Sequence, residues 1–172
     1  MKRVTTIVSL FLLPAVCGWA LPTVDGKVSS GEYGRSLSLL YGDATVWYQA
    51  DPEGGLYLAV SAPTTGWVGI GLGSVVMDGA HIFMGYVKDG VPVFSEQVGS
   101  GHSHAPSPAA FADRSAVGQE GGVTTIELHV PGNRLPRSGS RVPFIVAFAG
   151  SADLTTFHED NHDGGMIDLS DQ

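Results

Sequence analysis

The sequence predicts an all-β fold, an immunoglobulin-like antiparallel β-sandwich of about nine strands. Two observations predict it. No stretch sustains the apolar period of a helix, while many short segments alternate apolar with polar residues. Clusters of Gly, Pro, Asp and Ser separate those segments at the short intervals expected of hairpins in two packed sheets.

The elements follow in order. "ATVWYQA" (44–50) sets Ala44, Val46 and Tyr48 on one face, and "LYLAVSA" (56–62) sets Leu56, Leu58 and Val60 on one face. "DPEGG" (51–55) joins them as a hairpin turn, since Pro presets φ and Gly tolerates positive φ. "GWVGIGLG" (66–73) alternates Gly69, Gly71 and Gly73 with Val68, Ile70 and Leu72. Glycine at every second position weakens a strand unless another backbone, a flat ligand or a tightly packed sheet approaches that face. "HIFMGYV" (81–87) and "VPVFSEQV" (91–98) form a second hairpin around "KDG". Residues 99–122 read as one long polar loop, functional or mobile. "VTTIELHV" (123–130) alternates again, with His129 on a half-exposed face. "VPFIVAFA" (142–149) is almost wholly apolar, as a central strand covered on both faces would be. A polar loop (151–165) leads to a last strand, "MIDLS" (166–170).

The first twenty residues have a different character. A basic "MKR", an apolar "VTTIVSLFLLPAV" and small residues at −3 and −1 before Leu21 form a secretory signal pattern. The expected organisation is a signal peptide over 1–20 and a single domain over 21–172, secreted or periplasmic after cleavage. An uncleaved anchor is the alternative, though the apolar run is short for a span and broken by Pro14. Cys17, the only cysteine, sits in "LPAVC", a weak lipoprotein box because Val16 is bulky; lipid anchoring is not favoured. Cleavage after Ala20 leaves no cysteine, hence no disulfide, thiolate zinc site or covalently attached c-type haem. Nine basic residues less Lys2 and Arg3 leave seven against seventeen acidic ones, a net charge of −10. With no basic patch, nucleic acid is excluded as the expected partner.

Six histidines and one turn methionine remain as chemistry. His102 and His104 form an "HSH" pair in the long loop, a two-ligand signal that a solvated loop also explains. His158 and His162 lie in "TFHEDNHDGG", where the carboxylates of Glu159, Asp160 and Asp163 could equally pair with them. Met77 stands in "SVVMDGAH", where a core-filling role is less natural than for Met84 inside a strand. A thioether is a poor ligand for zinc, calcium or magnesium, but Met with neutral His ligates low-spin haem iron and raises its potential. No serine-hydrolase elbow, phosphate loop or dinucleotide fingerprint is present: "GSGHS" does not run from strand to helix, and the Gly-X-Gly repeat has no helix after it.

Over nearly all of residues 21–172 the chain resembles the DOMON domain family, in its bacterial secreted branch. The resemblance is carried by "VDGKVSSGEYGRSLSL" (24–39), the Gly-Trp strand "GWVGIGLG", "MDGAHIFMGYVKDG" (77–90), "GGVTTIELHVPGNRL" (121–135) and "SADLTTFHEDNHDGG" (151–165). DOMON domains are β-sandwiches that bind haem or sugars, and the haem-binding members include the cytochrome domain of cellobiose dehydrogenase. The resemblance implies a non-covalent haem b held between Met77 and His158, with Trp67, His81 and His162 as further cofactor-binding positions. The family often has Asp at the place of His81, His or Gly at Glu159, and Arg at His162. His162 is thus either a substitute ligand for His158 or a partner for a propionate.

Three functions stand open on these residues. The first is a one-electron transfer module, not an enzyme, that hands electrons to a partner protein or small carrier. The second is a carbohydrate-binding module of the same fold using Trp47, Tyr48, Tyr57 and Trp67, aromatics that a sandwich core also explains. The third is a periplasmic metal-binding protein using His102, His104, His158 and His162.

Overall fold

In a computed structural model, residues 20–170 are described; the expected signal peptide and Cys17 lie outside the described residues, Ala20 excepted. Among the described residues, eleven strands form two antiparallel sheets. One sheet has five strands: β1 (Arg35–Leu39), β2 (Ala44–Ala50), β3 (Leu56–Ala62), β8 (Arg114–Glu120) and β9 (Val123–Val130), in the order β1-β2-β3-β9-β8. The other has six: β4 (Val68–Leu72), β5 (His81–Lys88), β6 (Val91–Ser100), β7 (Ser103–Pro106), β10 (Arg141–Phe148) and β11 (His162–Asp168), in the order β11-β10-β4-β5-β6-β7. The all-β sandwich predicted from the alternation is thus the observed fold, with eleven strands in place of about nine.

The period of two decides which side chains meet. Val46 and Tyr48 on β2, Leu56, Leu58 and Val60 on β3, Val68, Ile70 and Leu72 on β4, and Ile126 and Leu128 on β9 all turn inward. They pack with Phe83, Val142, Phe144, Val146 and Ile167 between the sheets. Each such burial contributes about 1.5–3 kcal/mol, and truncating Phe83 to Ala would cost about 3–5 kcal/mol.

Three expectations are corrected. The 99–122 segment is not one loop: it holds β7 and β8, whose alternation is short and interrupted by Pro106 and Pro108. The last strand begins at His162, four residues early, because Gly164 and Gly165 pair with Ile145 and Phe144 despite their weak strand preference. β10 is not covered on both faces; Pro143, Ile145 and Ala147 point outward and are half-buried. β1 carries just two inward Leu residues, Leu37 and Leu39, too few for alternation alone to mark it as a strand.

Each outer face carries its own cluster, and these position everything that follows. On the five-stranded sheet, Tyr33, Tyr57 and Ala59 pack with Val24, Val28 and Trp47 beneath the N-terminal segment. Glu127 is fully buried there. Its carboxylate accepts from the amides of Asp25, Gly26 and Lys27 and from the Tyr33 hydroxyl at 2.8 Å, which ties that segment to β9. Burial pushes both the Tyr33 and Glu127 groups upward. On the six-stranded sheet, Trp67, Ala80, Ile82, Met84 and Ala149 form a cluster joined by half-buried Met77, Tyr86, Ile145, Ala147 and Leu154.

Candidate functional site

Trp67 is the centre of this second cluster. It precedes β4 on the same face as Gly69 and Gly71, and its ring is buried. The alternating glycines prove to serve packing. A Cβ at Gly71 would lie 2.8 Å from Ile145 Cγ1 and 3.2 Å from Ala80 Cβ, and one at Gly69 would lie 3.3 Å from Met84 Cγ. Neighbouring side chains therefore already fill the glycine face, and a flat ligand does not lie directly on it.

Two connections rise around this floor. The first, 73–80 between β4 and β5, carries Met77. The Ala80 amide donates to the Met77 carbonyl at 3.1 Å and closes the turn. Gly79 donates to the Gly99 carbonyl, Gly99 donates to Ala80, and the Gly101 amide donates to Asp78 Oδ1. A Cβ at position 99 would run into the Met77 carbonyl, so glycine there lets the loop lie against β6. Met77 is held on a turn tied by three hydrogen bonds to the end of β6 and the turn after it, with its side chain packed on the Trp67 cluster.

The second connection, 149–161 between β10 and β11, carries His158. It is tied to the strand of Trp67: the Trp67 amide donates to the Ser151 carbonyl and the Ala149 amide to the Trp67 carbonyl, both at 3.0 Å. The His158 ring is half-buried and meets Trp67 edge-on. Phe157 and His162 flank it, each with ring centroids 4.7 Å away. The Nδ1 atoms of His158 and His162 both lie on the Glu159 carbonyl, at 2.9 and 3.2 Å. A carbonyl oxygen can only accept, so each Nδ1 carries the proton and each Nε2 keeps its lone pair. Glu159 takes a left-handed φ of 54°, rare for a residue with a side chain, and it brings its carbonyl between the two rings. Burial lowers the His158 pKa, the bond to Glu159 opposes that, and the nearby His162 lowers it further. His158 is thus a neutral imidazole at neutral pH with a free Nε2.

The structure brings Met77, Trp67, His158 and His162 to one outer face. It does not bring His81 there. His81 points to the inner side of β5, stacked on Phe111 at 4.0 Å, with its Nδ1 buried and unpartnered. His102 lies in the β6–β7 turn, whereas His104 is on β7 with Nδ1 3.2 Å from Gln97 Oε1, so the two are not an extended pair. Among the described residues, no group of three His, Cys, Asp or Glu side chains gathers in the manner of a metal site. The four aromatics form no common platform. Tyr48 is in the core, Tyr57 is buried against His129, and Trp67 is on the other sheet. Trp47 borders an open depression of about 550 Å³ with Ser29, Ser30, Arg35 and Ser36.

A soft thioether, a neutral imidazole and a buried donor without a partner together fit a haem. Trp67 Nε1 is that donor, one of two buried side-chain polar atoms among the described residues with no hydrogen bond. Such a group is costly to bury unless something accepts from it.

Sequence reasoning missed a second constellation. His129 is buried, not half-exposed. Its Nε2 meets Asp51 Oδ2 at 2.7 Å and its Nδ1 meets Asp113 Oδ1 at 2.6 Å. Both oxygens accept, so both nitrogens donate and the ring is a cation between two anions. The bonds from His129 and the amides of Gly55 and Glu53 outweigh the upward pull of burial and hold the Asp51 carboxyl below its usual range. No local signal exposes this trio, since 78 residues separate Asp51 from His129. The pairing of Tyr57 with His129 across β3 and β9 places the ring beside the "DPEGG" turn.

No known family profile matches the chain, and no curated protein matches it. Among solved structures, the chain is similar to the cytochrome b domain of pyranose dehydrogenase from Coprinopsis cinerea. That likeness has a TM-score of 0.59 at 16% identity and covers 78% of this chain and 80% of that one. The chain is also similar to the cytochrome domain of Myriococcum thermophilum cellobiose dehydrogenase, with a TM-score of 0.54 at 12% identity over 73% of this chain and 74% of that one. Both are likenesses of fold.

Proposed function

We propose that this chain is a secreted DOMON-type domain that holds haem b without a covalent bond and passes single electrons, with Met77 and His158 as the axial ligands. One observation carries the reading: Met77 and His158 flank a cluster whose central residue, Trp67, buries an indole N–H with no acceptor. When bound, the haem supplies a reversible one-electron couple at its iron. The chain's own residues do the rest. The Glu159 carbonyl keeps the His158 proton on Nδ1, so Nε2 is the donor atom. The Met77 thioether favours the reduced state relative to a second imidazole. Trp67 Nε1 offers a hydrogen bond, and Ile145, Met84 and Ala80 keep water from the floor. His162 shares the Glu159 carbonyl and braces His158. The two fold neighbours are themselves cytochrome domains, which supports a transfer module rather than an enzyme, with a partner protein or small carrier as the other party.

The test is reconstitution with haem and a reduced-minus-oxidised visible spectrum. A sharp low-spin band, lost in both Met77→Ala and His158→Ala, supports the assignment; a spectrum indifferent to both sinks it. A second reading, sugar binding, draws on the depression beside Trp47 with its serine hydroxyls. It predicts glycan binding that Trp47→Ala abolishes and haem does not affect.

A further inference from the structure

The two loops that carry Met77 and His158 also expose apolar side chains. Val75 is 52% exposed, Val76 58% and Phe157 72%, and they lie within two residues of the two candidate ligands. Scattered exposed valines need no explanation, but these flank one cluster on one face of the sandwich. Their surroundings are predominantly acidic. Asp78 stands on the first loop; Asp153, Glu159, Asp160 and Asp163 stand on or at the end of the second, and all five are exposed. Neither loop contains a lysine or arginine. Lys88, at the end of β5, is the cation that acts on Asp153. Asp78 accepts from the Gly101 amide, Asp153 from the amide and hydroxyl of Thr155, and Asp163 from the amides of Gly164 and Leu40, whereas the Glu159 and Asp160 carboxylates make no hydrogen bond among the described residues.

We infer that this apolar patch with its acidic rim is the docking face for a basic electron-carrier protein, one that presents lysines and arginines around an apolar centre. The inference rests on the proposed function and names its partner. Charge complementarity selects the occupant. A second copy of this chain, with the same acidic rim, would be repelled, and an acidic carrier likewise. The apolar centre excludes water where the two redox centres approach, and the rim steers the encounter. A face of this kind gives fast, salt-sensitive and short-lived association, as electron transfer requires.

The test titrates a basic c-type cytochrome into the haem-loaded protein by calorimetry at about 20 mM and about 200 mM salt. The same cytochrome with succinylated lysines is the acidic control. The expected result is binding of the basic form that weakens about tenfold or more with salt, and none of the succinylated form. Val75→Ser with Val76→Ser should weaken binding about tenfold with the visible spectrum unchanged. Glu159→Gln with Asp160→Asn should weaken it and flatten the salt dependence. The inference is overturned by failure of the basic form to bind, by equal binding of the succinylated form, or by variants that bind like the parent. It is also overturned if the Val75→Ser, Val76→Ser protein shows a shifted spectrum, since the patch would then line the cofactor. A protein that takes up no haem fails the proposed function on its spectrum, and titration of the unloaded protein still decides the docking.

Discussion

Trp67 stands edge-on to His158, with ring centroids 6.5 Å apart and planes at 87°, and its buried Nε1 has no acceptor. Perpendicular rings are an arrangement that aromatic quadrupoles favour, so the contact orients the ring that would ligate iron.

Replacing Trp67 with Phe keeps a ring and deletes the orphan donor. Removing an unsatisfied buried N–H favours the unloaded fold by about 1–3 kcal/mol, and the lost ring volume opposes this by a similar amount. The expected outcome is an unloaded protein whose urea midpoint shifts little and whose haem affinity falls several-fold. A large loss of stability with haem affinity intact would show the N–H to be irrelevant to the cofactor.

The two histidines can be separated. The His158 ring reaches Trp67, while His162 is exposed on β11 and touches His158. His162→Ala should retain a low-spin spectrum, and His158→Ala should lose it. The lowered pKa of His158 means that its neutral form persists to lower pH than an ordinary imidazole. Haem affinity should therefore hold down to about pH 6.5 and fall only below it, as protons begin to compete for Nε2. A decline that starts above pH 7 would contradict the burial of this ring.

Gly99 supports Met77 from the neighbouring strand. Gly99→Ala puts a methyl group against the Met77 carbonyl, and either the 73–80 loop or β6 must move. The expected result is a folded protein, destabilised by about 1–3 kcal/mol, whose haem loses the sulfur ligand and becomes high-spin. Circular dichroism checks the fold and the visible spectrum checks the ligand. An unchanged low-spin band would place the sixth ligand elsewhere.

How much of this was legible follows from what kind of signal each feature leaves. Inward sets such as Leu56–Leu58–Val60 and Val68–Ile70–Leu72 were readable because pleating imposes a period of two on contiguous residues. β7 and β8 were not, because four residues of "SHAP" and the polar "RSAVGQE" pair through their backbones, with little apolar patterning to show it. Met77 and His158 stood out by residue type at the two matching loops, yet their convergence on Trp67 depends on β4, β5 and β10 being neighbours. The glycine alternation was visible, but its cause, Ile145 and Met84 lying over Gly71 and Gly69, is a cross-strand fact. The tether of both imidazoles to the Glu159 carbonyl needs a positive φ at a residue whose identity does not announce it.

The His129 trio gives the last prediction. The side chains of His129 and Asp51 are only 7% and 8% exposed, so water screens their pairing poorly. Asp51 also accepts from the amides of Glu53 and Gly55, so it holds the β2–β3 turn and the imidazolium together. Asp51→Asn leaves the buried cation with half its compensation and should cost about 3 kcal/mol, read as a fall in the urea midpoint. The pH dependence has a definite sign. The Asp51 carboxyl is held below its unfolded value, so the unfolded chain binds the proton more readily. The stabilisation is complete above the unfolded carboxylate pKa of about 3.9 and drains away as pH falls through the lower folded value. The parent should therefore lose stability steeply below about pH 4, and Asp51→Asn should show a shallower acid limb. Parallel acid limbs in the two proteins would mean that Asp51 titrates alike folded and unfolded, and that the trio is not an ion pair at all.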